Sequence, residues 1–158
     1  VDGSGAAVLL PYGTLDDEKL QNLEKGLGRT LPPRYRAWLA GTNGAQPVGR
    51  HGLPGMLFTL LPQRPLLGVH PQFPPFDLLA ADTLHRRPWL PDDYLAIAVP
   101  PGGLLAVRLT GATADAVVFL PETAKAGPAD AATRARHLVP VAEDIVEFLR
   151  NLRHYEDE

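Results

Sequence analysis

Residues 31–47, LPPRYRAWLAGTNGAQP, constrain this chain more than any other stretch. Pro32 or Pro33 suits the first helical position, where the missing N–H removes no hydrogen bond. Tyr35, Trp38 and Leu39 then follow at i, i+3 and i+4, so one helix face carries two aromatics and a leucine. Gly41 is a natural stop, and Asn43-Gly44 favours a left-handed backbone and a sharp reversal. The spacing predicts a short core helix held between a proline start and a tight turn, with Tyr35, Trp38 and Leu39 building the core.

Length and composition narrow what can pack around that helix. The chain has 158 residues, which predicts one domain. A chain of this size buries about 68–70% of its unfolded surface and needs no covalent staple. Seventeen prolines and fifteen glycines predict punctuated loops rather than long helices. Cysteine is absent, which excludes disulfides, thiolate metal sites and a cysteine nucleophile, and fits a reducing compartment. A formal charge of −3 provides no basic footprint for phosphates, so direct nucleic-acid binding is not expected, while a basic protein partner is compatible. No apolar run approaches the roughly 20 residues of a membrane helix. The start, VDGSGAAVLLPYG, has no basic region ahead of its short apolar run. A cytoplasmic location is therefore expected, with no membrane partner.

Residues 1–13 read as an N-terminal arm, with 6–10 a short strand or packed segment stopped by Pro11. Thr14 is expected to start the first helix, with Asp17 three residues later as in a capping box. Asp16, Asp17 and Glu18 suit the positive end of that helix. Leu20, Leu23 and Leu27 form its buried face, and Gly26 and Gly28 end it. After the opening motif, residues 56–61 (MLFTLL) predict a first strand, apolar on both faces and therefore covered. Residues 62–75 contain five prolines and predict a surface loop or extended crossing. Loops this long are often functional. Leu66, Leu67, Val69, Phe73 and Phe76 are too many apolar residues for free disorder, so the loop is expected to lie against the body.

Asp77 is expected to cap a helix through Arg86, with Leu78, Leu79 and Leu84 inward and Pro88 ending it. Residues 94–99 (YLAIAV), 104–109 (LLAVRL) and 116–120 (AVVFL) read as strands. Pro100-Pro101-Gly102-Gly103 joins the first two, so an antiparallel meander is predicted. Residues 121–136 read as a loop with some helical turns, and 137–141 as the approach to a last helix. Ile145, Phe148, Leu149 and Leu152 mark that helix at i, i+3, i+4 and i+7, with Glu143 and Asp144 in its first turn. Tyr155 and the acidic tail 156–158 are expected to fray. The order of elements gives an α+β fold with a single, mainly antiparallel sheet flanked by helices.

No catalytic constellation emerges. His51, His70, His85, His137 and His154 match no metal-ligand spacing. His51 and His70 lie in Pro/Gly loops and are the pair that could meet, but without cysteine the ligand set is thin, so no metal and no cofactor are predicted. The Pro-Pro-Gly-Gly link lacks the Lys and Ser/Thr of a phosphate loop and is followed by a strand. Ser4 is the only serine and lies in the arm, which all but excludes a serine nucleophile. Asp92-Asp93 and Glu143-Asp144 are adjacent pairs, not facing ones, and read as charges at the start of a strand and of a helix.

The whole pattern resembles the SMI1/KNR4 family of the SUKH superfamily. Leu20, Leu23, Glu24, Leu27 and Gly28 followed by Leu31-Pro32 look like its first helix and its LP break. Tyr35, Trp38, Leu39, Asn43 and Gly44 look like its second helix and NG turn. Residues 95–99, Gly102-Gly103 and 104–109 resemble its paired strands, 117–120 the next strand, and Ile145, Phe148, Leu149 and Leu152 the final helix. The resemblance makes residues 14–155 one SMI1/KNR4-like domain, with the proline-rich segment 62–75 as a departure from the family pattern.

That resemblance implies a non-enzymatic protein-binding domain of the bacterial immunity type. Such a domain binds a cognate polymorphic toxin, a nuclease or another nucleic-acid-modifying enzyme, and blocks it by steric occlusion. The Ala/Arg/Pro/Gly-rich composition is in keeping with GC-rich coding and a bacterial source. A basic toxin would suit the mildly acidic surface. Leu66, Leu67, His70 and Phe73 in the proline-rich segment, with the acidic residues Asp92 and Asp93, are the candidate partner-binding residues. Leu31, Pro32, Tyr35, Trp38, Leu39, Asn43 and Gly44 are assigned to structure. Two alternatives stand beside this reading: a housekeeping regulatory or scaffold module, as fungal relatives suggest, and a small enzyme of a type the motifs do not reveal.

Overall fold

Asp16, not Thr14, opens the first helix. The computed structural model describes residues 4–53, 56, 58–70, 72–90, 93–121 and 138–155, with only the backbone for 4–6, 84–89 and 155. Helix α1 spans Asp17–Leu27, and the Asp16 carboxylate accepts the Lys19 N–H at 2.9 Å. The carboxylate that reaches the third amide is the cap, and it is two residues later than expected. Leu20, Leu23 and Leu27 are buried as predicted, and Gly28 closes the helix in the left-handed region. Gly26 lies inside the helix, where it packs against Leu79.

Helix α2 spans Pro33–Thr42, with Pro33 at its first position. Pro32 has no side chain that can cap it. Asp115 supplies the cap from a distant turn, its Oδ1 accepting the Tyr35 N–H at 2.8 Å. Tyr35 and Leu39 are fully buried. Trp38 is only half-buried, contrary to expectation, and stacks on Tyr35 with ring centroids 5.9 Å apart. It flanks the core because the apolar face is one turn wide. The helix passes Gly41 and stops at Asn43, which adopts φ 52° and donates its N–H to Leu39.

The predicted meander forms. Strands β5 (Tyr94–Ala98), β6 (Gly103–Arg108), β7 (Val117–Pro121) and β8 (Val139–Ala142) pair antiparallel in that order. Strand β8 occupies residues expected only to lead into the last helix. Leu95, Ile97, Leu105, Val107, Val117 and Phe119 face the main core with Tyr35, Leu39 and Phe148. Ala96, Leu104, Ala106, Val118 and Leu120 face the other way and pack with Leu90. Both faces are buried, which explains why these strands read as unbroken apolar runs.

Helix α3 covers Leu78–Trp89, three residues past Arg86 and with Pro88 in its last turn. Asp77 sits ahead of it and accepts the Ala80 N–H at 3.2 Å. Helix α4 covers Ile145–Asn151, with Asp144 as its cap rather than in its first turn. Ile145 and Phe148 are buried in the helix, and Leu152 is buried just past it.

Five short strands complete the fold, and of these only β1 and β2 fall near a segment, 6–10, expected to hold a short strand or packed arm. Strands β1 (Ser4–Ala6), β9 (Arg153–Tyr155) and β4 (Arg50–Gly52) form a sheet in the order β1-β9-β4. Tyr155 is thus paired, not frayed. Strands β2 (Leu9–Pro11) and β3 (Ala45–Pro47) form a two-stranded ribbon. No strand forms over 56–61 among the described residues. Phe58 and Leu60 are core residues instead, and Leu60 makes one reciprocal bridge with His51, 2.9 and 2.7 Å. The apolar run there reflects an irregular segment that sends Phe58 and Leu60 into the core, not a covered sheet. The fold is α+β with antiparallel sheets, although the single sheet expected is three hydrogen-bonded sets. Residues 66 and 67 stitch two of them together: Leu66 exchanges bonds with Ala45 of β3, and Leu67 donates to Ile97 of β5 at 2.8 Å. The segment 122–137 and the tail 156–158 lie outside the described residues.

Candidate functional site

The Asn43-Gly44 turn does more than reverse the chain. Its peptide receives the proline-rich segment edge to edge. Asn43 Oδ1 accepts the Val69 N–H at 2.6 Å and its amide nitrogen donates to Val69 O at 3.4 Å. One side chain thus imitates a strand partner. The approach is close: a Cβ on Gly68 would stand 2.0 Å from Asn43 O, and one on Gly44 2.5 Å from Leu66 O. His70 then hydrogen-bonds Asn43 O through Nε2 at 3.2 Å, while its own N–H goes to Asp77 Oδ1 at 2.8 Å. Asp77 therefore holds the loop and caps α3 with one carboxylate.

This clamping sorts the candidate residues. Leu66 and Leu67 are 1% and 2% exposed, so they are core residues and present no side chain to a partner. They are stitched between β3 and β5, which explains why a loop this rich in proline keeps two adjacent leucines. His70 is half-buried and its ring meets Tyr12 edge-on at 4.8 Å. Phe73 is 51% exposed and contacts Phe76 edge-on at 4.6 Å. Phe76 in turn lies 6.1 Å from Tyr12. Tyr12, His70, Phe73 and Phe76 thus form one aromatic lobe. The Tyr12 hydroxyl has no hydrogen-bond partner among the described residues, and burial pushes its pKa up. Tyr12 and Phe76 carried no local signal for this role, since the loop's fold alone brings them together.

Beside the lobe runs a groove of about 650 Å³, walled by Pro65, Leu67, Pro74, Pro75, Ala81 and Val99. Prolines that cannot pair in a sheet form one wall and α3 the other. Arg64 lies at its end and donates to Val99 O at 3.3 Å.

Asp93 lies elsewhere. It pairs with Arg108 at 3.1 Å, and that guanidinium also bonds Thr113 and lies 5.9 Å from the Tyr94 ring centre. Together with Leu31, Pro32 and Arg29 it borders a second hollow of about 520 Å³. Arg29 is fixed there by Asp82 and by Tyr94 O at 2.8 Å. Asp92 lies outside the described residues. His51 and His70 do not share a site: the His51 ring instead meets His154 at a tilt, with centroids 5.0 Å apart. Among the described residues no three His, Asp or Glu side chains are grouped to hold a metal ion. No described helix is long and apolar enough to cross a membrane.

A family model for the SMI1 / KNR4 family (SUKH-1) matches residues 14–151. The chain belongs to the SMI1/KNR4 family. No curated protein matches it at a significant level. In this SMI1/KNR4 domain the matched span runs from the loop before α1 to the end of α4, and so includes the clamped segment and the groove. Leu31, Pro32, Tyr35, Leu39, Asn43 and Gly44 serve the frame in it. Leu31 and Pro32 are buried, and Asn43 and Gly44 receive the loop.

Proposed function

We propose that this SMI1/KNR4 domain is a non-enzymatic immunity protein that binds a cognate toxin domain and blocks it by covering its active site or substrate channel. The toxin would be a nuclease or another nucleic-acid-modifying enzyme, met in the cytoplasm of a bacterial host. The observation that carries the reading is the family match across residues 14–151. The aromatic lobe is the surface assigned to that contact. Phe73 is exposed on a segment whose backbone is held at both ends, so little ordering entropy is lost on binding. A net charge of −3 favours encounter with a basic enzyme.

The test pairs the purified chain with the toxin domain encoded beside its gene. Stoichiometric inhibition at micromolar concentration is expected. Phe73→Ala should weaken binding about tenfold without changing the melting temperature. Absence of both binding and inhibition would overturn the reading, and full binding by Phe73→Ala would move the contact surface elsewhere.

A further inference from the structure

Three strands set two histidines against each other. In the β1-β9-β4 sheet, Gly5, His154 and His51 occupy one row. Directly opposed residues share a face, and the two imidazole centroids are 5.0 Å apart. His51 is fully buried. Backbone groups engage both of its ring nitrogens. The Val8 N–H donates to Nε2 at 2.9 Å, and Nδ1 lies 3.3 Å from Gly49 O. One protonation state satisfies both contacts: a neutral ring with its proton on Nδ1, because the amide needs a lone pair and the carbonyl needs a proton. The Val8 bond is also a structural join. The chain leaves β1 on one side of β9, and two residues later its N–H is bonded to β4 on the other side, while Val8 O accepts the Val48 N–H at 2.9 Å.

We propose that His51 is a proton-operated latch for the start of the chain: a proton taken up at Nε2 breaks the bond between Val8 N–H and β4, and the three-residue strand β1, no longer braced there, separates from β9 while Val8 O keeps its bond to Val48. The protonated ring would set N–H against N–H. It would also place a buried cation beside His154. The charged and titratable groups on the surrounding strands are Arg50 on β4 and Arg153, His154 and Tyr155 on β9. Arg153 is held by the carbonyls of Arg150 and Leu152. Strands β1 and β2 carry no charged residue, and Leu60, bridged to His51, is apolar. Among the described residues no carboxylate on these strands offers the new charge a counter-ion. Burial, with His154 nearby, holds the His51 pKa below its ordinary value. The folded arrangement therefore favours the neutral ring. The latch is closed above about pH 6.5 and opens as the pH falls through the lower folded value. Opening bares the pairing edge of β9.

The test is amide hydrogen exchange on the full chain, corrected for intrinsic rates, between about pH 7.5 and about pH 5. Val8 protection is expected to fall at least tenfold relative to Leu105 and Val118 of the central sheet. His51→Gln, whose amide oxygen accepts an N–H but does not titrate, should keep Val8 protected at both pH values. His154→Gln removes the imidazole that helps to hold the His51 pKa down and should shift Val8 release to higher pH. Unchanged Val8 protection at low pH would overturn the latch, as would the same loss in His51→Gln. Loss of Val8 and Leu105 protection together would show global acid unfolding and overturn it too. If His51→Gln fails to fold, nitrogen spectra of the wild-type imidazole decide: a His51 that titrates without moving the Val8 amide refutes the proposal.

Discussion

Asp115 does for α2 what no residue beside α2 can do. Pro32 stands at the cap position without a side-chain acceptor, and the carboxylate that replaces it comes from the turn between β6 and β7. Asp115 also takes φ 76°, a region aspartate tolerates better than most residues. Asp115→Ala should lower stability by about 1–2 kcal/mol in urea unfolding, with Asp115→Asn retaining most of it. Tyr35 makes the opposite case. Its buried hydroxyl has no partner among the described residues, and burial drives its pKa far up. Tyr35→Phe should be neutral or stabilising by thermal melting, because it removes a desolvated group that bonds nothing. Trp38→Ala should fall short of the roughly 3–5 kcal/mol of a fully buried aromatic, since part of the side chain already meets water. The sequence pattern of residues 35–39 named the right face of the helix, but it could not say where that face ends, because the width of the contact depends on elements far along the chain.

At the scale of elements, two devices lend themselves to measurement. The clasp between Asn43 and Gly68 has no room for a methyl group. Gly68→Ala should cost about 1–3 kcal/mol and loosen the aromatic lobe, read as faster proteolysis of the segment 62–77. The cap of α4 responds to acid. The Glu147 N–H, then Arg34, hold Asp144 below the 3.8 of a free aspartate. Its contribution is complete above about pH 4 and is lost as pH falls through the lower folded value. Asp144→Asn should flatten the acid dependence of α4 helicity over that window. Elements with strong local patterns were legible: α1, α2, α4 and the meander all lie close to their predicted places. Strands of three residues were not. Residues 45–47 and 50–52 carry Gly and Pro nearby and alternate over too short a span, and only their partners make them strands. The apolar run 56–61 misled for the converse reason, since Phe58 and Leu60 enter the core from an irregular segment that reads like a covered strand.

Across the whole molecule, chain ends and middle are interleaved. Residues 4–6 and 153–155 share a sheet with 50–52, and residues 66 and 67 join the ribbon to the main sheet. Such joins leave no trace in local spacing, which is why three hydrogen-bonded sets read as one sheet. The candidate surface was half legible for the same reason. The proline-rich segment stood out by composition, but composition cannot distinguish Leu66 and Leu67, which face inward, from Phe73, which faces out. Only the fold separates them. His51 and His154, far apart in sequence, became neighbours in the same way.

The bridge between Gly68 and Asp77 has one more implication. Gly68 N–H bonds Phe76 O at 3.1 Å, and Leu78 N–H bonds Gly68 O at 2.8 Å. The two ends of the bulge that carries Phe73 are therefore pinned to each other by backbone, whatever side chains lie between them. A bulge of this kind is an interchangeable cassette: its contents can be rewritten while the chassis stays the same. Grafting a foreign peptide of equal length over 72–75 should leave the melting curve nearly unchanged while redirecting what the domain recognises.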